Sequence, residues 1–538
     1  MWRPLLSAAV TGVVLAGCGG GSDAGSEDLS ERLAVIQPEL IRGHLEYLAD
    51  DRLRGRDTDD VGYEMARDYV AEQYARIGLE PIIDDSYLQP FDLLEVAADA
   101  GSVLRIGDWE IPFPEASFTP DWNGTAPSVS GPGVFIGRAL VENEVFPSDW
   151  DLSGKVAFVL AGIPEGRRDE LDVVIRGRTE VELAFRQGAV SVVVVDPRPS
   201  VENWRRGLTP RRPLRVLADG TTSRFRPAAT LGPEASRALI DRWSLDDVDL
   251  QAPVELGPVT IEPAHQTRTS RSWNVGGVIP GTDPEVGDEV VVFTAHLDHV
   301  GIGPPDADGD SIFNGMHDNA LGVAKILAMA EAMVGMEMRR SVLFLALGAE
   351  EGGLLGSWYY VRNPVFPMEN TVAALNHDGG LEGQASDDFL AFGDQYSTLG
   401  EFMRRAGEES GVSSYETYRV PPFAAAQALL FRSDQYSFLL AGVPAVYMMP
   451  GFTVDGDREV NRRAWQTYLD NVNHQQRDNF LPDASYESPV VMATMSVYLA
   501  RHLANSESIP EMLPNAPFRS SRASPVFPAF YGDTEPPR

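Results

Sequence analysis

Glu350 and Glu351 stand side by side between an apolar run, Ser341 to Gly348, and a glycine-rich turn, Gly352 to Ser357. Two adjacent carboxylates at the mouth of a buried strand repel each other and are costly to desolvate. Such a pair asks for compensating positive charge. Other segments offer His296, Asp298, Asp318, Asp378 and His474, several of them close to the end of an apolar run. Imidazole nitrogens and carboxylate oxygens together suit two divalent cations. One glutamate could bind metal while its neighbour handles protons.

Taken singly, each piece has a plainer explanation. His296-Leu-Asp298 reads as a hydrogen-bonded pair in a loop, although a carboxylate behind a ligating histidine also fixes its tautomer. Asp318 or Asn319 reads as a helix N-cap. Asp306-Ala-Asp-Gly-Asp310 begins like a calcium loop but lacks the closing glutamate, so it reads as a solvated loop. His299 and His377 read as spare histidines, in supporting or surface positions. Arg432-Ser-Asp434 reads as structural or substrate-facing. The joint order carries more than any part: H-x-D, D-N, E-E and D follow successive strands, and His474 with Asp478 closes the set.

The elements that must position these residues are strands at Val290 to Phe293, Val342 to Leu347, Val372 to Leu375 and Ala445 to Met448, with helices between them, notably Ala320 to Met333. Alternation of apolar strands with helices predicts an α/β fold, a mostly parallel mixed sheet covered by helices on both faces. Ligand sites in such sheets gather at the carboxyl ends of strands. The domain reading is a catalytic domain in two stretches, 29–117 and 263–508, interrupted by a β-rich insertion at 118–262. A Pro- and Ser-rich tail, 509–538, reads as peripheral or disordered.

The chain has 538 residues, 43% of them apolar, and 79 acidic against 44 basic residues leave a net charge of −35. That balance argues against a nucleic-acid partner and against charge-driven binding to anionic lipid. The single cysteine, Cys18, excludes an intramolecular disulfide. It follows Arg3 and an apolar stretch, an arrangement expected of an export signal too short to span a bilayer comfortably. Leu15-Ala-Gly-Cys18 resembles a bacterial lipobox, which makes residues 1–18 a lipoprotein signal, Cys18 the lipid attachment site and 19–28 a flexible tether. Gly19 after the cysteine resembles lipoproteins sent to the outer membrane of a Gram-negative cell. The expected location is therefore exported, periplasmic or at the cell surface, with membrane contact only through the anchor.

From His296 to Asp478 the chain resembles the M28 family of zinc peptidases, the aminopeptidase Y-like group. The matching motifs are Ala295-His-Leu-Asp298, Gly315-Met-His-Asp-Asn-Ala-Leu-Gly322, Glu350-Glu-Gly-Gly-Leu-Leu-Gly-Ser357, Asn376-His-Asp378, Arg432-Ser-Asp434 and His474. Leu53-Arg-Gly-Arg56 and Arg76-Ile-Gly-Leu-Glu-Pro81 extend the likeness, and the segment 118–262 looks like a protease-associated domain covering the cleft. The resemblance implies a zinc-exopeptidase, phosphorylase/hydrolase-like fold. It implies that His296 and Asp378 bind one Zn²⁺ and Glu351 and His474 a second, with Asp318 bridging. Co²⁺ or Mn²⁺ are alternatives. Glu350 would be the general base and Asp298 would orient His296.

The implied activity is a dizinc aminopeptidase acting on peptides through a metal-bridged hydroxide. A water held between metals about 3.5–4 Å apart loses its proton near neutral pH. A carboxypeptidase or dipeptidase of the same fold is the alternative, and a non-catalytic binding lipoprotein a third reading. Three positions depart from the family pattern: Asn473 stands where many relatives carry tyrosine, Gln435 where histidine often follows Ser-Asp, and His317 where a small or acidic residue is commoner. These bear on oxyanion stabilisation and substrate preference. Oligomeric state is left open.

Overall fold

The computed structural model describes residues 24–522, apart from 99–100, 119–127, 138–139, 142–143, 146–149, 162–180, 182–183, 186, 209–213, 220–228, 246–251, 415–429, 431, 515, 517 and 519. Cys18 and most of the expected tether lie outside the described residues. The end of that tether does not: a helix spans Ala24–Leu33. Arg32, in its last turn, donates to the carbonyl oxygens of Val334 and Gly335, a tertiary tie that composition alone does not reveal.

A ten-stranded sheet organises the chemistry. Its path runs Leu214–Leu217, Leu88–Ala98, His265–Ile279, Ser341–Leu347, Val290–His296, Thr371–Asn376, Ala445–Pro450, Asp388–Phe392 and Ser413–Ser414, with Glu80–Pro81 paired to His265–Ile279. The four strands from Ser341–Leu347 to Ala445–Pro450 are mutually parallel. These are the four apolar runs that the sequence marks as strands. Outside them the pairing is chiefly antiparallel, so the sheet is mixed with a parallel centre rather than mostly parallel. The difference comes from Leu88–Ala98 and His265–Ile279, which pair antiparallel over eleven residues. Pro90 and the interspersed polar residues disguise the first of these as short pieces.

Both faces of the centre are buried. Val291, Phe293 and Ala295 pack with Leu45, Tyr63, Val70, Leu327 and Met492 on one side. Val290 and Val292 pack with Leu345, Leu355, Trp358 and Phe438 on the other. The alternation is the pleat of the strand expressed in packing. Helix Leu321–Met333 is apolar nearly all round and is buried along almost its whole length, as a helix held between sheet and outer helices must be.

A second sheet of eight strands runs Trp109–Pro112, Val103–Ile106, Val254–Glu262, Val129–Phe135, Val156–Leu160, Ser191–Val195, Ala229–Leu231 and Ala116–Phe118. It begins before the expected boundary at 118, since the strands within 103–118 pair inside it. Conversely Leu214–Leu217, within 118–262, joins the edge of the first sheet. Arg215 explains that departure: its buried guanidinium meets Asp57 at 2.6 Å, Asp59 at 2.7 Å and Glu95 at 3.0 Å. As far as it is described, the tail is tied to the folded chain. Leu513 N donates to Tyr396 O, Ser521 N to Gly442 O, and Phe518 packs on Tyr396 and Tyr436. No helix among the described residues is long and apolar enough to cross a membrane.

Candidate metal centre

Three adjacent parallel strands deliver the first donors. His296 ends Val290–His296, Glu350 and Glu351 follow Ser341–Leu347, and Asp378 follows Thr371–Asn376. The register sets His296 opposite Leu347 and Thr294 opposite Asn376, so the three strand ends open at one level. Asp318 enters from the turn Met316–Ala320, which feeds helix Leu321–Met333. His474 enters from beyond helix Val460–Asn471.

Together they form two donor groups joined at one carboxylate. His296 Nε2 lies 3.1 Å from Asp318 Oδ1 and 3.0 Å from Asp378 Oδ1. Asp318 Oδ2 lies 3.0 Å from His474 Nε2, itself 3.2 Å from Glu351 Oε1. Each oxygen of Asp318 therefore serves a different group. Zinc with ligands at 2.0–2.1 Å in tetrahedral array holds its donors about 3.3 Å apart. The spacing and the N/O donor chemistry fit such a cation. All five residues expected to bind metal come together, from positions spread between 296 and 474. Glu350 stands beside them, its Oε2 4.0 Å from His296 Nε2.

The electrostatics follow from burial and crowding. Burial pushes the Glu350 carboxyl well above the usual glutamate range; His296 opposes this, while Asp378, Glu351 and Asp434 add to it. Glu351 goes the other way: burial and Asp318 oppose ionisation, but His299 and His474 outweigh them and hold it low. Two neighbouring glutamates are thus driven apart, one toward holding a proton and one toward staying charged. His474 is raised to about 11, because Asp318 and Glu351 outweigh its burial.

The supporting contacts revise the expected part of Asp298. Its backbone carbonyl, not its carboxylate, receives His296 Nδ1 at 3.0 Å; the carboxylate is 4.0 Å away. The fully buried carboxylate instead accepts the backbone N–H groups of Glu350 at 2.9 Å and Glu351 at 3.3 Å, and the Thr58 hydroxyl at 3.2 Å. Asp298 thus anchors the turn that carries both glutamates. Asp478 does the same for Asp318: it accepts the backbone N–H of His317 at 2.9 Å and of Asp318 at 3.2 Å, and meets His317 Nδ1 at 2.6 Å. His317 also reaches Glu382, so the unusual histidine at 317 is the middle of a carboxylate–imidazole–carboxylate chain.

Asn319 Oδ1 accepts Gly322 N, in the first turn of helix Leu321–Met333, at 2.9 Å, and Gly379 N at 2.8 Å, while the N-cap position itself is Ala320. Gly322 is required there, since a Cβ would sit 2.1 Å from both Asn319 Oδ1 and His377 O. Beneath the turns lies the buried Arg56 guanidinium. It donates to Leu297 O at 2.9 Å and Gly315 O at 2.8 Å, and also reaches Leu48 O and Asn314 O.

Other expected candidates stand apart. Gln435 accepts from Asn376 Nδ2 and donates to Leu430 O, and Ser433 also accepts from Asn376, so both brace the strand before Asp378. Buried Asp434 is raised to about 7, chiefly by burial. The Asp306 loop is a turn closed by the Asp306 carboxylate, which accepts the backbone N–H of Asp308 at 2.9 Å and of Asp310 at 3.0 Å. His377 is buried outside the donor groups, but His299 joins the second of them. Its position directly after Asp298 is the signal that sequence reasoning passed over. Tyr468 was also missed. Asn473 Nδ2 donates to Asp318 Oδ2 at 3.3 Å and to the Tyr468 hydroxyl oxygen at 3.1 Å. The amide cannot turn round without setting its oxygen against the Asp318 carboxylate. Tyr468 therefore receives that bond and keeps its own proton for another acceptor.

Residues 274–497 match the model of peptidase family M28. A probable lipoprotein aminopeptidase of Mycobacterium tuberculosis is 26% identical over 439 residues, covering 79% of this chain and 76% of its own. A probable leucine aminopeptidase 2 of Aspergillus fumigatus is 25% identical over 401 residues, covering 73% and 70%. Among solved structures, an aminopeptidase from Aneurinibacillus sp. strain AM-1 superposes with a TM-score of 0.50 at 18% identity, covering 90% of this chain and 97% of that one; that likeness concerns the fold. The family match and the two relatives support an M28 metallopeptidase, and with it a hydrolase acting on peptide bonds.

Proposed function

We propose that this chain is an exported, lipid-anchored aminopeptidase of family M28 that works with two zinc ions. The observation that carries the reading is the division of Asp318, whose two oxygens face two separate groups of nitrogen and oxygen donors. His296 and Asp378 would complete one site, and Glu351 and His474 the other. Zinc bound there supplies Lewis acidity, polarising the scissile carbonyl and acidifying the attacking water.

The protein's own residues do the rest. Glu350 takes the proton of the attacking water at its carboxylate and returns it to the leaving amine. Its buried setting raises its basicity toward that task. Asp298 holds the backbone that aims Glu350. The Tyr468 hydroxyl, its proton unspent, is a donor for the substrate oxygen that gains negative charge. That donor answers the question raised by Asn473: the phenol comes from the preceding helix rather than from position 473. The lipobox-like Leu15-Ala-Gly-Cys18 supports export and anchoring, and so does the name borne by the mycobacterial relative.

The test pairs metal analysis with substrates. Protein stripped by chelator is expected to lose hydrolysis of aminoacyl substrates and to regain it with zinc. N-acetylated versions of the same substrates are expected to resist cleavage. Preferential cleavage of N-blocked, C-terminally free peptides would favour the carboxypeptidase reading instead.

A further inference from the structure

We infer that His299 is a metal ligand of the second group, which makes the two sites unequal: three protein donors around His296, four around His474. The inference rests on the two-metal reading above.

His299 is fully buried. Its Nδ1 lies 2.9 Å from Glu351 Oε1 and 3.9 Å from Asp318 Oδ2. With His474 Nε2 these atoms form one group, all within 4.8 Å of one another. At 2.9 Å an imidazole and a carboxylate ordinarily share a proton along the N–H axis. Here Nδ1 makes no hydrogen bond of acceptable geometry. With Asp318 Oδ2 and His474 Nε2 beside them, both atoms border one common position. A cation there meets His299, Asp318, Glu351 and His474 as an N₂O₂ set, a familiar zinc environment.

The ring is built into place. Its backbone N–H donates to Arg56 O at 3.1 Å, and its edge meets His474 with ring centres 5.5 Å apart at 70°. Gly315, at φ +59°, lets the chain pass directly beneath it; a Cβ there would come within 2.4 Å of His299 Cδ2. A histidine that merely filled space would need none of this alignment. The first group has no such additional nitrogen among the described residues. It follows that the His474 site fills first and empties last.

The experiment uses the full chain stripped of metal, titrated with Zn²⁺ against a chromophoric chelator and separately with Co²⁺ followed by its visible absorption. Wild type is expected to take up two ions in distinguishable steps, the tighter one at the His474 site. His299→Ala is expected to weaken that step on the order of 100-fold or more, beyond the usual effect of a supporting residue, and to change the Co²⁺ band. His299→Asn provides a smaller polar replacement should the alanine variant fold poorly. Unchanged affinity in both variants overturns the inference. A weakened step with an unaltered Co²⁺ band overturns it too, because His299 would then only orient Glu351. Failure of wild type to bind two ions sinks the two-metal reading itself, and the inference with it.

Discussion

The two sheets of this protein share a construction and differ in the side chains just past their strand ends. Each has a run of parallel, largely apolar strands: Ser341–Leu347, Val290–His296 and Thr371–Asn376 in one, Val156–Leu160 and Ser191–Val195 in the other. In the first, the residues at the carboxyl ends are His296, Glu350, Glu351 and Asp378. In the second, the described residues directly after the strands are Ala161 and Asp196, and Asp196 is occupied by Arg198 at 2.7 Å. A parallel sheet therefore supplies a platform, and the chemistry depends on which side chains occupy the first positions beyond it.

Breaking the contrast from the catalytic side has the largest expected effect. Asp318→Ala removes the carboxylate common to both donor groups; peptidase activity is expected to fall to background, with bound zinc below about one ion per chain by elemental analysis. Retention of two ions would show that Asp318 is not shared. Glu350→Gln is expected to keep its metals while kcat drops roughly 10²–10⁴-fold, and steady-state kinetics beside zinc content separate the two effects.

The second sheet is expected to behave oppositely. Phe158→Ala opens its core and costs about 3–5 kcal/mol of stability, read as a lower unfolding temperature, while kcat per folded molecule stays unchanged. A matching loss of kcat would mean that this sheet takes part in the reaction.

The smallest effect concerns pH. His44, packed against the first sheet's helices with Nδ1 2.8 Å from the Tyr69 hydroxyl, is lowered to about 4 by burial. The unfolded chain binds this proton near pH 6.5 and the folded one only near 4, so stability present above 6.5 is lost as pH falls between those values. Roughly 2 kcal/mol disappears by pH 5. His44→Gln is expected to flatten that part of the curve in denaturant titrations at pH 7 and pH 5.

Much of this was legible in the sequence. The four central strands show as unbroken apolar runs because both of their faces are covered. His296, Glu351 and Asp378 show because imidazole and carboxylate just past such runs are costly to leave unpaired, whereas Asp318 and His474 follow no such strand and were marked as ligands by the family resemblance. The antiparallel half of the first sheet was not legible, since Pro90 and the polar residues of Leu88–Ala98 mimic loop composition. Nor was the exchange of strands at the domain boundary, which depends on a buried arginine finding three acids distant in the chain.

The order of residues alone determined that nitrogen and oxygen donors would gather at the end of a parallel sheet, because strand polarity and apolar periodicity are local properties that survive in one dimension. Which groups hold those donors in place was decided only in three dimensions. The Asp298 carboxylate clamps the glutamate turn while its backbone carbonyl receives the histidine ring, Asp478 fixes the turn of Asp318, and Asn473 joins the Tyr468 hydroxyl to Asp318. Hydrogen bonds and packing between turns far apart in the chain have no periodic signature, so only the folded arrangement discloses them.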